Sequence, residues 1–160
     1  MTAVTLRPFT PEDADWLVRQ HADIYAAEEG FDDSFGALVA SILRDFIRDH
    51  DPLAERGWIA QQGAQRLGSI FCVRQADGIA KLRLFLLVPQ ARGLGLGKRL
   101  LEACMGFART AGYREMRLWT HESHRAACAL YAASGWRMVE AKPVHSFGVD
   151  LVEQSWQIDL

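Results

Sequence analysis

The stretch VPQARGLGLGKRL, Val88 to Leu100, constrains this chain more than any other. An apolar run from Leu82 to Pro89, broken only by Arg83, ends there, and three glycines then alternate with bulky residues. Leu100, Leu101, Cys104, Met105 and Ala108 follow at helical spacing, so a strand must turn sharply into a helix. Glycines let the backbone turn tightly and bring successive N–H groups close to a ligand. The helix N-terminus adds partial positive charge, and Arg92, Lys98 and Arg99 add whole ones. The expected product is an anion site of diphosphate size.

Two familiar nucleotide loops fail on spacing. A dinucleotide-binding turn needs G-x-G-x-x-G, whereas Gly93, Gly95 and Gly97 give G-x-G-x-G. A Walker loop needs four residues before G-K-[ST]. Only three separate Gly93 from Gly97, and Arg99 stands where Ser or Thr would hold magnesium.

The rest of the chain alternates strand and helix signals. VTLRP (Val4 to Pro8) reads as a strand. Thr10 then caps a helix with Pro11 at its first position and Asp13 as the reciprocal acid. That helix runs to about Glu28 and stops at Gly30. Phe35, Leu38, Val39, Ile42, Leu43, Phe46 and Ile47 form a second helical stripe, ended by His50-Asp51-Pro52. GWIAQQ and RLGSIFCV read as a hairpin around Gly63-Ala64-Gln65, and Ala76 to Gly78 make the next turn. After the glycine loop come a helix to about Thr110 closed by Gly112, the strand REMRLWT and the helix HRAACALYAAS closed by Gly135. The strand WRMVEA follows, then a loop from Pro143 to Gly148 and the last strand VDLVEQSWQIDL. The order β-α-α-β-β-β-α-β-α-β-β predicts one mixed α/β domain over 1–160.

Bulk properties exclude other classes. A length of 160 residues suits one core without disulfides or metal. A formal charge of −2 argues against a nucleic-acid binder. The longest apolar run is too short for a bilayer, and the N-terminus lacks a signal-peptide order. Cys72, Cys104 and Cys128 are odd in number without C-x-x-C spacing, which predicts reduced cysteines in a cytoplasmic protein.

At this point the sequence resembles a family. LLVPQARGLGLGKRLL is similar to the acetyl-CoA loop of the GNAT family of N-acetyltransferases, with its pattern Arg/Gln-x-x-Gly-x-Gly/Ala. HRAACALYAASGW resembles the family's N-x-x-A-x-x-L-Y-x-x-x-G-F, with Tyr131, Gly135 and Trp136 in place. The element order matches too, so the resemblance covers essentially the whole chain. AKLRLFLLVPQARGLGLG and the ending HSFGVDLVEQSW are most similar to the acetyltransferase domain often fused to MarR-type winged-helix domains. No winged helix is expected within these residues. His124 departs from the pattern, because the family usually has Asn there, a cofactor contact in many relatives.

The resemblance implies a GNAT-like mixed, mostly antiparallel sheet of about six or seven strands flanked by about four helices. LRLFLLV and RLWT would be neighbouring parallel strands that splay apart after Val88. It implies acetyl-CoA as cosubstrate, contacted by Leu86, Leu87, Val88, Arg92, Gly93, Leu94, Gly95, Leu96, Gly97, Lys98, His124 and Tyr131. It also implies direct attack of an amine on the thioester, with a backbone N–H near Leu86 or Leu87 as oxyanion donor. Tyr131 would donate a hydrogen bond to the leaving thiolate. A phenol of pKa ~10 against a thiol of ~8.5 makes a hydrogen bond easier than full transfer.

The proton acceptor is less constrained. Glu28 and Glu29 end the first helix, His121 and Glu122 follow RLWT, and His145 falls in the last loop. Glu29 and His121 are assigned to catalysis, Glu28 and His145 to the acceptor side. His21 and Tyr25, one turn apart, would line the same groove. His121-Glu-Ser-His124 lacks the H-E-x-x-H spacing, so no metal is expected. Lys81, Arg83 and Phe85 alternate and should share one face, opposite an apolar face of Leu82, Leu84, Leu86 and Val88. The two cations either pair with acids across the sheet or face a wet cleft that takes an acidic acceptor.

The leading expectation is an N-acetyltransferase for a primary amine of a small molecule, such as an amino acid. Transfer to a protein N-terminus or lysine is the second reading, unless the segment from Gly30 to His50 covers the groove. A CoA-binding regulatory module without turnover is the third. An exposed edge at the C-terminal strand would allow a homodimer.

Overall fold

The computed structural model describes residues 3–160. Chain order gives β1 (Val4–Pro8), α1 (Ala14–Glu29), α2 (Asp33–Asp49), β2 (Arg56–Gln62), β3 (Gln65–Ala76) and β4 (Ile79–Leu87). Then follow α3 (Leu96–Thr110), β5 (Glu115–His121), α4 (Arg125–Ala133), β6 (Arg137–Ser146) and β7 (Val149–Asp159). Among the described residues, no helix is long and apolar enough to cross a membrane.

One seven-stranded sheet has the order β1-β2-β3-β4-β5-β7-β6, antiparallel except for β4 against β5. Alternation along β2 and β3 builds its two faces. Trp58, Ala60, Ile70 and Cys72 pack with Leu100, Leu101, Cys104 and Ala108 of α3. Ile59 and Phe71 point the other way and pack with Leu17 of α1 and Val39 and Leu43 of α2. Helices thus cover both faces, and the apolar stripes of α2 and α3 explain which side each presents.

Local signals set the helix starts and stops. Gly30 ends α1 in the left-handed conformation at φ 75°. The turn before α1 uses Asp13 as expected, its carboxylate accepting from Thr10 N–H at 2.8 Å. The same buried carboxylate accepts from Arg7 at 2.7 and 2.9 Å and from Arg66 at 2.8 Å. Burial alone would raise this carboxyl's pKa. The bonds from Arg7, Thr10 and Arg66 outweigh it and hold the group well below the usual carboxylate range.

Five sequence expectations are corrected. The turn of the first hairpin is Gly63-Ala64, since Gln65 already pairs in β3. The loop expected from Pro143 to Gly148 is mostly strand, because β6 runs to Ser146 and Pro143 pairs with Val152. Proline is tolerated there because β6 is an edge strand, where one missing N–H breaks no second ladder. For the same reason the C-terminal strand is not the free edge. β7 lies between β5 and β6, so β6 and β1 are the edges of the sheet.

The fourth and fifth corrections concern β4. Ser69 pairs with Leu86 and Phe71 with Arg83, so one residue of β3 faces two of β4. The extra residue is a bulge at Leu84, with φ 49°, whose carbonyl accepts from Ser69 Oγ at 2.7 Å. Face alternation therefore breaks. Leu84 joins the α1–α2 cluster instead of sharing a face with Leu82 and Leu86, while Phe85 packs against the α3 cluster. Parallel pairing with β5 covers only Ile79–Lys81 against Glu115–Arg117, so the strands part after Lys81 and not after Val88.

Candidate functional site

Two open features meet at the end of β4. Val88 N–H donates to the Leu67 carbonyl at 2.9 Å, and Leu86 is in register with Ser69. Antiparallel alternation then turns the N–H and C=O of Leu87 away from β3, into the gap left by β5. Of the two residues named from sequence, Leu87 is the one whose N–H faces the opening.

The glycine loop lies next to that gap. Gly93 and Gly95 adopt φ 78° and 77°, and an added Cβ would meet nothing within 4 Å at either, so both face open space. The first helical bond of α3 runs from Arg99 N–H to the Gly95 carbonyl at 3.2 Å. The N–H groups of Leu96, Gly97 and Lys98 therefore precede the helical ladder and remain available to an anion. Gly97 is narrow for another reason: a Cβ there would stand 3.4 Å from Leu130 and 3.6 Å from Phe85. Leu96 is buried as an anchor, whereas Leu94 is exposed.

Both features open on a cleft of about 840 Å³ lined by β4, β5, α1, α2, α4 and the glycine loop. That volume suits a small ligand plus part of a larger one. Tyr131 of α4 lines it while only 3% exposed, its ring 6.2 Å from Phe85 and 5.7 Å from Trp136. Burial raises its phenol well above the ordinary value, so it carries its proton at neutral pH and can donate.

A backbone anion cradle, a parted parallel strand pair and a buried tyrosine between them match one family. Residues 8–136 match the Acetyltransferase (GNAT) family. The chain belongs to the GNAT acetyltransferases.

An N-acetyltransferase 8 from Rattus norvegicus is 32% identical over 116 residues, covering 68% of this chain and 49% of its own. A mycothiol acetyltransferase from Geodermatophilus obscurus is 29% identical over 140 residues, covering 82% of this chain and 43% of its own. The chain spans about half the length of the curated relatives it matches. A GNAT acetyltransferase from Staphylococcus aureus Mu50 superposes with a TM-score of 0.80 at 17% identity, covering 99% of both chains. A ribosomal-protein-alanine N-acetyltransferase from Brucella melitensis gives 0.78 at 19%, covering 98% of this chain and 99% of its own. At such identities the likeness carries the GNAT fold.

The cleft gathers most residues named from sequence. His21, Tyr25, Glu28, Glu29, Arg83, Phe85, Leu86, Leu87, Arg92, His121, His124 and Tyr131 all line the cleft. Leu94, Leu96 and Val88 do not: Leu94 is exposed, and Leu96 and Val88 are buried in the core. His145 stands apart. It lies in β6 and not in a loop, exposed, with Nδ1 2.8 Å from Asp150 Oδ1.

Several side chains are already engaged. Arg92 donates to both oxygens of Glu28, at 3.0 and 2.9 Å, tying the glycine loop to the end of α1. His21 Nδ1–H donates to the Leu17 carbonyl at 2.7 Å, which leaves Nε2 an unpartnered acceptor. Burial pushes His21 down to about 4 and Tyr25 up to about 12, the latter helped by Glu29 and Glu28. Both are neutral near pH 7.

Lys81 and Arg83 of β4 both line the cleft, and among the described residues neither makes an ion pair. Lys81 Nζ sits 4.8 Å above the Trp119 ring, and the field of Asp45 acts on Arg83. Burial lowers both below their ordinary values, Lys81 further through Arg83. Pairing across the sheet, the alternative open from sequence, is not what these two do.

Sequence reasoning missed the aromatic wall. Phe35 and Phe147 line the cleft with their rings 4.9 Å apart, and Phe31 packs 4.9 Å from Phe147. Phe147 sits in the β6–β7 turn at φ 55°. The dipeptide Phe147-Gly148, a turn signal after a strand, was the available clue.

Proposed function

We propose that this protein transfers the acetyl group of acetyl-CoA to the primary amine of a small acidic molecule, such as an amino acid. The observation that carries the reading is the position of Leu87, whose free backbone groups face the strand gap between the glycine loop and Tyr131.

In this reading the N–H groups of Leu96, Gly97 and Lys98 hold the diphosphate of the cosubstrate. The strand gap takes its amide-bearing arm, where the backbone of Leu87 replaces the missing ladder partner. Leu87 N–H then donates to the thioester oxygen as negative charge develops on it. Tyr131 donates to the sulfur as the carbon–sulfur bond breaks. Holding amine and thioester together supplies much of the acceleration.

Two features support a small acceptor over a protein tail. α2 lays Phe35, Leu38, Val39 and Ile42 along the cleft, covering the groove that a peptide would need. The unpaired Lys81 and Arg83 supply positive charge for a carboxylate on the acceptor.

The test is release of free thiol from acetyl-CoA across amines, amino acids and peptides. Turnover concentrated on acidic amines is expected. Tight CoA binding without turnover on any acceptor would overturn the reading in favour of a CoA-binding module, and preferential turnover on peptides would overturn the acceptor class.

A further inference from the structure

The aromatic wall of the cleft is held in place by bonds of the fold itself. Phe147 has φ 55°, a left-handed backbone that a ring-bearing residue seldom adopts. Such strain persists only where the surroundings enforce it, and it collects at ligand clamps. Here the Phe147 carbonyl accepts from Asp32 N–H at 2.9 Å, fastening the β6–β7 turn to the start of α2. The Asp32 carboxylate in turn caps α2, accepting from Ser34 N–H at 3.0 Å. Phe31 is buried behind the wall, its ring 4.9 Å from Phe147 and 5.0 Å from Phe35. Phe35 and Phe147 are only half-buried and line the cleft, meeting edge to face at 76°. The Tyr25 ring adds a third side, 4.8 Å from Phe35.

This recess is one end of a polarised cleft. Phe35, Leu38 and Ile42 fall on one face of α2 and line the cleft together. The next position on that face is Asp45, whose field reaches Arg83. Phe35 and Ile42 are two turns apart, about 10 Å along the helix. β5 repeats the same order on the other side. Trp119 and His121 share a strand face, with Lys81 Nζ over the first and the Phe147 ring 6.4 Å from the second. Both walls thus run from cations to aromatic rings.

Resting on the acetyl-transfer reading, we propose that the acceptor is an aromatic amino acid or another acidic amine that carries an aryl group. Its carboxylate meets Lys81 and Arg83, and its ring fills the recess of Phe35, Phe147 and Tyr25. Edge and face positions among those rings suit a further ring better than an aliphatic chain of equal size. A second carboxylate does not suit this end. Burial lowers His121 against the opposing fields of Glu153 and Glu29, so negative charge already lies near the recess. The transfer itself is ordinary: nitrogen bonds to the thioester carbon and the carbon–sulfur bond breaks. The products are the N-acetyl acid, the CoA thiol and one proton released to solvent.

The test compares kcat/KM on the full chain for phenylalanine, cyclohexylalanine, alanine, glutamate and phenethylamine. Phenylalanine should exceed alanine by about 10- to 150-fold and cyclohexylalanine by about 2- to 10-fold. Glutamate should fall below alanine, and phenethylamine, lacking the carboxylate, about tenfold below phenylalanine. Phe147→Asn tolerates the left-handed backbone, and Phe35→Leu keeps the apolar packing of α2. Each should cut the phenylalanine-to-alanine ratio about threefold or more. A merely structural ring would lower both rates together and leave the ratio unmoved. That result in both variants, equal rates on phenylalanine and alanine, or equal rates on phenylalanine and cyclohexylalanine would each overturn the inference, while turnover of acidic amines keeps the acetyl-transfer reading. An unaltered protein that binds CoA and acetylates nothing would overturn that reading, and this inference with it.

Discussion

Arg92 and Glu28, sixty-four positions apart, join the glycine loop to the end of α1 through two hydrogen bonds of 3.0 and 2.9 Å. Both side chains are close to half exposed, so the pair is worth no more than about 1 kcal/mol. A diphosphate competing for Arg92 must displace that carboxylate. Glu28→Gln should therefore tighten CoA binding by up to about fivefold at low salt, and Arg92→Ala should weaken it about tenfold or more. Calorimetric titration of each variant checks both directions.

Tyr131 is buried with its phenol held protonated. Tyr131→Phe keeps the ring contacts with Phe85, Trp136 and Trp156 and removes only the donor. We expect kcat to fall by about 10²–10³ with little change in CoA affinity or melting temperature. An unchanged kcat would reduce Tyr131 to a packing residue.

Arg83 should act on the acceptor alone. Arg83→Ala is expected to raise KM for acidic amines about tenfold, the loss of one charged hydrogen bond. KM for neutral amines and for acetyl-CoA should stay unchanged. Steady-state kinetics with a matched acidic and neutral acceptor decides it.

His21 makes stability depend on pH. Its pKa is about 4 in the folded chain against an ordinary 6.5, so the unfolded chain binds the proton more readily. Its contribution is full above pH 6.5 and is lost as pH falls through 4, up to about 3 kcal/mol. Urea midpoints measured across that window should fall with pH, and His21→Leu should flatten the part due to this group.

What the sequence revealed and what it hid divide by the range of the signal. The glycine spacing, the stop at Gly30, the stripe of α2 and the place of Tyr131 are each written in one short stretch of chain. Each depends on local backbone preference or helical period. The bulge at Leu84 depends on how Ser69 and Phe71 of β3 meet β4, which no spacing within β4 records. Pro143 read as a loop because whether a strand is an edge is decided by the whole sheet. The Arg7–Asp13–Arg66 cluster and the Glu28–Arg92 pair likewise join residues far apart in sequence. Much of the cleft lining was legible, but its aromatic wall of Phe35 and Phe147 and the partners its side chains take were not.

The parting of β4 from β5 has a mechanical consequence. The sheet halves β1–β4 and β5–β7 are laced together by pairing at only Ile79–Lys81 against Glu115–Arg117. Beyond Lys81 that seam has no ladder to resist opening, so the halves should flex about those three rungs as on a short hinge. A ligand arm lying in the gap acts as a temporary eighth strand. It should slow amide exchange on both banks, at Leu87 and along Leu118 to Thr120, and tighten the whole sheet from its middle.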